Sequence, residues 1–218
     1  MMAGVSPALA TMALRRLERL GHVHREPSGQ VRFLDLPELL KAWATWYASG
    51  PIISYRYSME SAETAVEMIA RVSKNRAHLP GRWALTAMAG ASLVVPSSAF
   101  NDVHVHLLHP DRLRNAWRRQ LQLRSCSTGP FHILHSYYAE AGLFGSREIR
   151  KLPVVSDVQL YLECCRYPVR GREQAQRLLE RIAKAGGVTA CPQEEQFAAP
   201  ELRRQKTAVS SASRFPNR

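Results

Sequence analysis

An α+β fold is predicted, a small basic helix-and-hairpin unit followed by a larger domain in which helical and strand patterns interleave. Three observations predict it. Residues 6–34 carry a capped amphipathic helix, a glycine stop and two β-prone runs around a tight turn. Residues 61–184 switch repeatedly between helical and two-residue hydrophobic periods. The chain has 218 residues, 45% of them apolar, enough for one or two ordinary cores, yet no apolar run approaches the roughly 18 residues of a membrane helix.

The first helix is expected over residues 7–20. Ser6 is placed to cap it, Pro7 suits a first position whose amide has no partner, and Gly21 stops it. At about 100° per residue, Leu9, Ala13, Leu17 and Leu20 share an apolar stripe, with Ala8, Thr11, Arg15 and Arg19 opposite. A hairpin follows, 22–26 and 30–34 around Pro27-Ser28-Gly29. Together these elements form the second half of a winged helix-turn-helix, in which a helix enters the major groove and a ribbon touches phosphate. On that reading Ser6 and Ala8 allow close approach, Thr11 and Arg15 face base edges, and Arg19, Arg25 and Arg32 meet phosphates of double-stranded DNA. An ordinary amphipathic helix and hairpin with solvated arginines is the competing reading. A complete winged motif has one or two helices ahead of the Val5-Ser6 turn, so the unit reads as one whose first helices are missing.

A third helix over 37–48, with Leu39, Leu40, Trp43 and Tyr47 at three- and four-residue spacing, is expected to close this unit before Gly50-Pro51, giving domains at 1–50 and 51–185. The second domain is expected to hold helices at 61–74 (Ala62, Val66, Ile69 and Ser73 inward), 87–95, 110–120, 156–166 (Val158, Tyr161, Leu162 and Cys165 inward) and 172–184 (Ala175, Leu178, Leu179 and Ile182 inward). Strands are expected at 82–86, 102–107 and 131–135, in a sheet of three or four. Residues 186–218, rich in Gly, Pro, Ser, Gln and Ala, read as a disordered tail.

Thirty Lys plus Arg against eighteen Asp plus Glu, a net charge of +12, point to a polyanionic partner. Residues 1–9 lack the basic start and apolar core of a signal peptide, so a cytoplasmic location is expected. Cys126, Cys164, Cys165 and Cys191 have no metal-ligand spacing and are expected to be reduced thiols. His104, His106 and His109 lie close in sequence, but His104 and His106 alternate around Val105 on a strand with only Asp102 nearby, and are read as structural. No metal or other cofactor is expected.

The runs LERLGHVHREPSGQVRFLDLPELLKAWATWY from Leu17, RWALTAMAGASLVVP from Arg82 and LPVVSDVQLYLECCRYPVRGREQAQRLLERI from Leu152 resemble the AbiEi antitoxins of type IV toxin–antitoxin systems, over residues 6–184. The third run is the most specific. The resemblance implies an amino-terminal winged helix-turn-helix, a carboxy-terminal mixed α/β antitoxin domain, repression of the protein's own operon at repeated operator sites, and a nucleotidyltransferase-like toxin encoded alongside, opposed by direct contact or only functionally. It places the recognition helix and wing on Ser6, Thr11, Arg15, Arg19, Arg25 and Arg32.

Catalysis is not expected. Nucleotidyltransferases set a Gly-Ser at a helix start ahead of two carboxylates one residue apart, which hold metal ions beside the triphosphate. Here Gly90-Ala91-Ser92 precedes Asp102-Val103-His104, whose second carboxylate is absent, so this is at most a degenerate echo of such a fold. In Arg166-Tyr167-Pro168-Val169-Arg170-Gly171-Arg172, a turn between helices, Arg170 or Arg172 is expected to satisfy helix-end carbonyls or Asp157. A basic patch shared with Arg112, Arg114, Arg118 and Arg119 is the functional alternative.

Overall fold

The computed structural model describes residues 6–47, 52–59, 62–74, 79–96, 100–136, 139–168 and 170–186. The segment 187–218, read above as a disordered tail, lies outside them, as does Cys191.

Local signals at the start of the chain act as their chemistry dictates. Helix α1, Pro7–Arg19, is capped by Ser6, whose Oγ accepts the Leu9 amide at 3.2 Å. At its other end the amides of His22 and Gly21 donate to the Leu17 and Glu18 carbonyls, each at 3.0 Å, with Gly21 at φ +73°. This paired closure needs a left-handed residue, which glycine supplies without a Cβ penalty. Strands β1, Val23–Arg25, and β2, Val31–Phe33, pair antiparallel with His24 opposite Arg32.

Helix α2, Leu36–Tyr47, starts on Asp35, whose carboxylate accepts the Glu38 amide at 2.8 Å. Expected to close the amino-terminal unit, it instead buries Leu40 and Ala44 against the two last helices, α7 (Asp157–Arg166) and α8 (Gly171–Gly186). Amphipathic spacing shows that a helix has an inward face, not which partner receives it.

Between lie β3 (Ile52–Ser58), α3 (Ala62–Lys74), β4 (Trp83–Thr86), α4 (Ala87–Val94), β5 (Val103–Leu107), α5 (Pro110–Gln120), β6 (Arg124–Ser125), β7 (Phe131–Ser136), α6 (Ala139–Gly142), β8 (Arg147–Ile149) and β9 (Leu152–Val154). The fold is α+β. Its main sheet has seven strands in the order β6-β3-β7-β5-β4-β9-β8, not three or four. It is mixed: β5 with β7 and β4 with β9 run parallel, and the other pairs antiparallel.

Register gives the sheet two unlike faces, because partners across a ladder share a side and successive residues alternate. Tyr57, Phe131, Ile133, Val103, Val105 and Leu85 form an apolar face that buries Trp117 of α5, edge-on to Trp83 at 5.3 Å. On the other face one row runs Arg56, His132, His104, Thr86, and the next holds Ser54, Leu134, His106 and Ala84. Helix α7 stands over this polar face.

Two inward stripes differ from expectation. Helix α3 buries Ala65 and Ile69, with Val66 and Val72 only half-buried. Helix α7 buries Leu160, Tyr161, Leu162, Glu163 and Cys164, leaving Val158 and Cys165 half-buried, because it is packed by α2, α4 and α8 at once. Helix α8 buries Ala175, Leu178, Leu179 and Ile182 as expected. Gly90 lies where α4 presses on β4 and α7, since a Cβ there would stand 2.9 Å from both the Leu85 carbonyl oxygen and Leu160 Cδ2.

Candidate nucleic-acid interface

Helix α1 buries no residue. Its half-buried residues are Ala10, Thr11, Leu14 and Leu17, with the apolar three roughly a quarter turn from the expected stripe. Leu9 and Leu20, members of that stripe, are 54% and 55% exposed. Among the described residues the helix rests mainly on β1 of the hairpin, so the sequence pattern marks more apolar surface than those residues cover.

The predicted contact residues divide accordingly. Ala8, Arg15 and Arg19 are exposed on one arc of α1, together with Met12. Arg16, which the sequence reading passed over, is also exposed, adjoins Arg19 and lies in the last turn, where the helix dipole favours a cation. Ser6 is exposed but its Oγ is occupied by the cap. Thr11 is half-buried and its Oγ1 donates to the Pro7 carbonyl at 2.9 Å, which leaves an oxygen able only to accept from a base. Arg25 and Arg32 are both exposed, yet register sets them on opposite faces of the ribbon, Arg32 beside His24 and Arg25 beside Val31. A phosphate contact through one face therefore uses one arginine, not both. Between Ser6 and Leu34 stand five arginines and two glutamates, and none of the seven forms an ion pair among the described residues.

Behind this unit, α2 is fastened to the sheet through a partly buried polar chain. The Tyr47 hydroxyl donates to Glu163 Oε1 at 2.6 Å, Gln159 Nε2 donates to the Tyr47 oxygen at 2.7 Å and to Glu163 Oε1 at 3.0 Å, and His106 Nε2 lies 3.2 Å from the same oxygen. Burial pushes the Tyr47 phenol upward, and the Glu163 charge adds to this. Burial also works against an ionised Glu163, but the hydrogen bond and charge of His106, then the Tyr47 hydroxyl, hold its carboxyl below the ordinary value.

A second polar group lies further along the sheet. The Tyr167 hydroxyl donates to Asp102 at 3.0 Å, His132 Nε2 stands 3.7 Å from Asp102, and Ser54 Oγ is 2.9 Å from His132 Nδ1. His104 stacks on His132 with ring centroids 4.2 Å apart and meets the edge of Tyr167. Burial, reinforced by His132, pushes His104 down to about 4, so it is neutral at pH 7. Ser54, His132 and Asp102 follow the order of a nucleophile, base and acid, but 3.7 Å exceeds the hydrogen bond that would orient the base. Among the described residues no group of three His, Cys, Asp or Glu is arranged to hold a metal ion.

The Gly90-Ala91-Ser92 run sits within α4, not at its start, and Ser92 Oγ donates to the Ala89 carbonyl at 2.8 Å. It forms no phosphate cradle. Asp157, the expected partner of Arg170 or Arg172, is held instead by Arg147 and by Arg181, the latter at 3.2 Å. Nor do the two arginine groups form one patch, because α5 packs on the apolar face of the sheet while α7 packs on the polar face. No helix among the described residues is long and apolar enough to cross a membrane. A scan of protein-family models, a search of curated proteins and a search of solved structures each found no match to the chain.

Proposed function

We propose that the chain is a cytoplasmic DNA-binding autorepressor and antitoxin of a type IV toxin–antitoxin system, with α1 as the groove-reading helix and the domain that follows as the antitoxin part. One observation carries the reading. A side-chain-capped helix closed by a left-handed glycine leads straight into a two-stranded ribbon, and this unit presents five arginines free of carboxylate partners among the described residues. The sequence runs that resemble the AbiEi antitoxins add to it. Arg15 and Arg16 project from the exposed arc as groove-facing donors, and Arg19 with Arg25 or Arg32 supplies phosphate contacts.

The test is a titration of the purified protein with its own upstream DNA and with a scrambled duplex, at two salt concentrations. Tighter binding to its own promoter is the expected result, with affinity falling as salt rises. Arg15→Ala should cost about 1–3 kcal/mol on the operator and relax sequence preference, whereas Arg25→Ala should weaken both duplexes alike. Equal, salt-sensitive binding to both duplexes by the unaltered protein defeats the repressor reading.

A second reading has its own observation. Leu9, Met12, Leu20, Phe33, Leu34, Trp43 and Trp46 are each between 48% and 81% exposed, an apolar share more typical of a surface that meets protein. On this reading the chain binds no specific DNA and acts through a protein partner. Co-purification with the neighbouring gene product, abolished by Trp46→Ser but not by Arg15→Ala, would favour it.

A further inference from the structure

Ser54, Tyr55, Arg56 and Tyr57 are consecutive on β3. Alternation sends Ser54 and Arg56 to the polar face of the sheet, beside Leu134 and His132, and Tyr55 and Tyr57 to the apolar face, beside Ile133 and Phe131. All four nevertheless line a single cavity of about 420 Å³, with Cys126 beyond the end of β6. Residues of both faces border one space only where it runs along the strand edge, with the backbone as its floor. That edge is open: β3 pairs with β7 over Ile52 to Tyr57, whereas on its other side β6 meets only Tyr57 and Ser58. The Cys126 amide donates to the Arg56 carbonyl at 3.2 Å, which fixes the phase, so the backbone groups of Arg56 and of Ser54, two residues earlier, point away from β7. The Ser54 amide and carbonyl and the Arg56 amide have no backbone partner on that side among the described residues. Both side chains are exposed. An uncovered strand edge of this kind is a template for another strand.

Charge selects what joins the edge. On its polar side Arg56 forms no ion pair among the described residues. On its apolar side Arg114 of α5 lies over the Tyr55 ring at 4.5 Å, with its Nε buried and without a hydrogen-bond partner among the described residues. No carboxylate lines the cavity, and Asp111 is already engaged by the Tyr55 hydroxyl at 2.6 Å. A strand added in line with β6 turns successive side chains to opposite faces. Two adjacent acidic residues would therefore answer the two guanidinium groups separately, the one opposite Ser54 lying diagonal to Arg56 and its neighbour facing Arg114. A second copy of the chain would bring the same cations to the same edge, which its net charge of +12 opposes.

We propose that this edge takes up an extended acidic segment of a partner protein by β-strand addition, antiparallel to β3 and in the line of β6. Main-chain hydrogen bonds to Ser54 and Arg56 supply the attachment, and the guanidinium groups on the two faces supply the preference for acidic side chains. The site is separate from the helix and ribbon assigned to DNA, so it stands or falls independently of the repressor reading.

The probes are the end-blocked peptide Thr-Val-Asp-Glu-Val-Thr, its counterpart Thr-Val-Lys-Lys-Val-Thr, and two forms of the acidic peptide N-methylated at alternate sets of amides. Titrated into the full chain and followed by residue-resolved NMR, the acidic peptide is expected to bind at about 1 mM or tighter and to shift the amides of Ser54, Arg56 and Cys126. The lysine peptide should bind at least about tenfold more weakly. One N-methylated form should fail while the other binds, because only every second amide of an added strand faces β3. Arg56→Gln should weaken the acidic peptide about tenfold while leaving affinity for the upstream DNA unchanged. Ser54→Pro removes an amide on the open side only and so spares the ladder with β7; it should abolish binding. No binding at about 10 mM, or equal binding of the two N-methylated forms, which would mean side-chain charge alone holds the peptide, overturns the proposal. Self-association of the chain that Ser54→Pro abolishes would overturn it too, by giving the edge to a second copy.

Discussion

Glu163 is the residue on which the polar interior turns. Its Oε1 accepts from Tyr47 and Gln159 and faces His106 Nε2, so one carboxylate oxygen joins α2, α7 and β5. Replacing it leaves the buried His106 and the half-buried Tyr47 and Gln159 without their common acceptor. Glu163→Ala is therefore expected to cost about 3–5 kcal/mol, read as a fall in the urea midpoint at unchanged slope. Tyr47→Phe removes two hydrogen bonds, the one donated to Glu163 and the one accepted from Gln159, and keeps the ring under Arg166, which lies 5.7 Å from its centre, so about 1–3 kcal/mol is expected. The sequence did not mark Glu163: a glutamate inside an amphipathic helix reads as solvated until its partners, 116 residues upstream in the case of Tyr47, are brought beside it. Tyr161 and Leu162, by contrast, were legible from spacing alone.

At the level of elements, end signals were more legible than faces. The cap at Ser6, the stop at Gly21, the hairpin turn and the start of α5 at Pro110 follow from residues acting on their own backbone. Such local chemistry needs no knowledge of the rest of the molecule. Strands β6, β8 and β9 were not legible, because runs of two or three residues carry no period and exist only through their ladder partners. Strand β3 did carry one, with Tyr55 and Tyr57 alternating against Ser54, Arg56 and Ser58, but it follows directly on Gly50-Pro51 and was passed over as part of the break. The contact residues of α1 were legible as a group and not as individuals. Ala8, Arg15 and Arg19 do share an exposed arc, whereas the engagement of Thr11 with Pro7 and the division of Arg25 from Arg32 depend on hydrogen bonds and register. Because α1 buries no side chain, its cap weighs heavily in its stability. Ser6→Ala should lower the helicity of residues 7–19 by about 1 kcal/mol, seen as a local loss in residue-resolved NMR shifts with little change in global unfolding.

Across the whole molecule, the stacked histidines make stability depend on acidity. His104 has an unfolded value near 6.5 and a folded value of about 4, lowered by burial first and by His132 second, while Asp102 and Glu163 oppose. His132 is lowered in the same direction, again by burial first. Between those two values the unfolded chain binds the proton and the folded chain does not, so stability is at its full value above pH 6.5 and declines as pH falls toward 4. For His104 the loss is on the order of 3 kcal/mol. Urea midpoints at pH 7.5 and pH 5 should show it, and His104→Gln should flatten most of the difference. An unchanged slope of midpoint against pH in that variant would show that other groups carry the dependence.

The quarter-turn displacement of the supported side of α1 has a kinetic meaning. Amide hydrogens in α4 and α7 should exchange only when the sheet itself comes apart, because Gly90 and Glu163 tie those helices to β4 and β5. Those of α1 need only a small opening that breaks its contact with the hairpin, and should exchange orders of magnitude faster. A duplex that seats α1 would close that gap, so deuterium uptake over residues 7–19 becomes a gauge of occupancy whose range is set by how little the free helix is held.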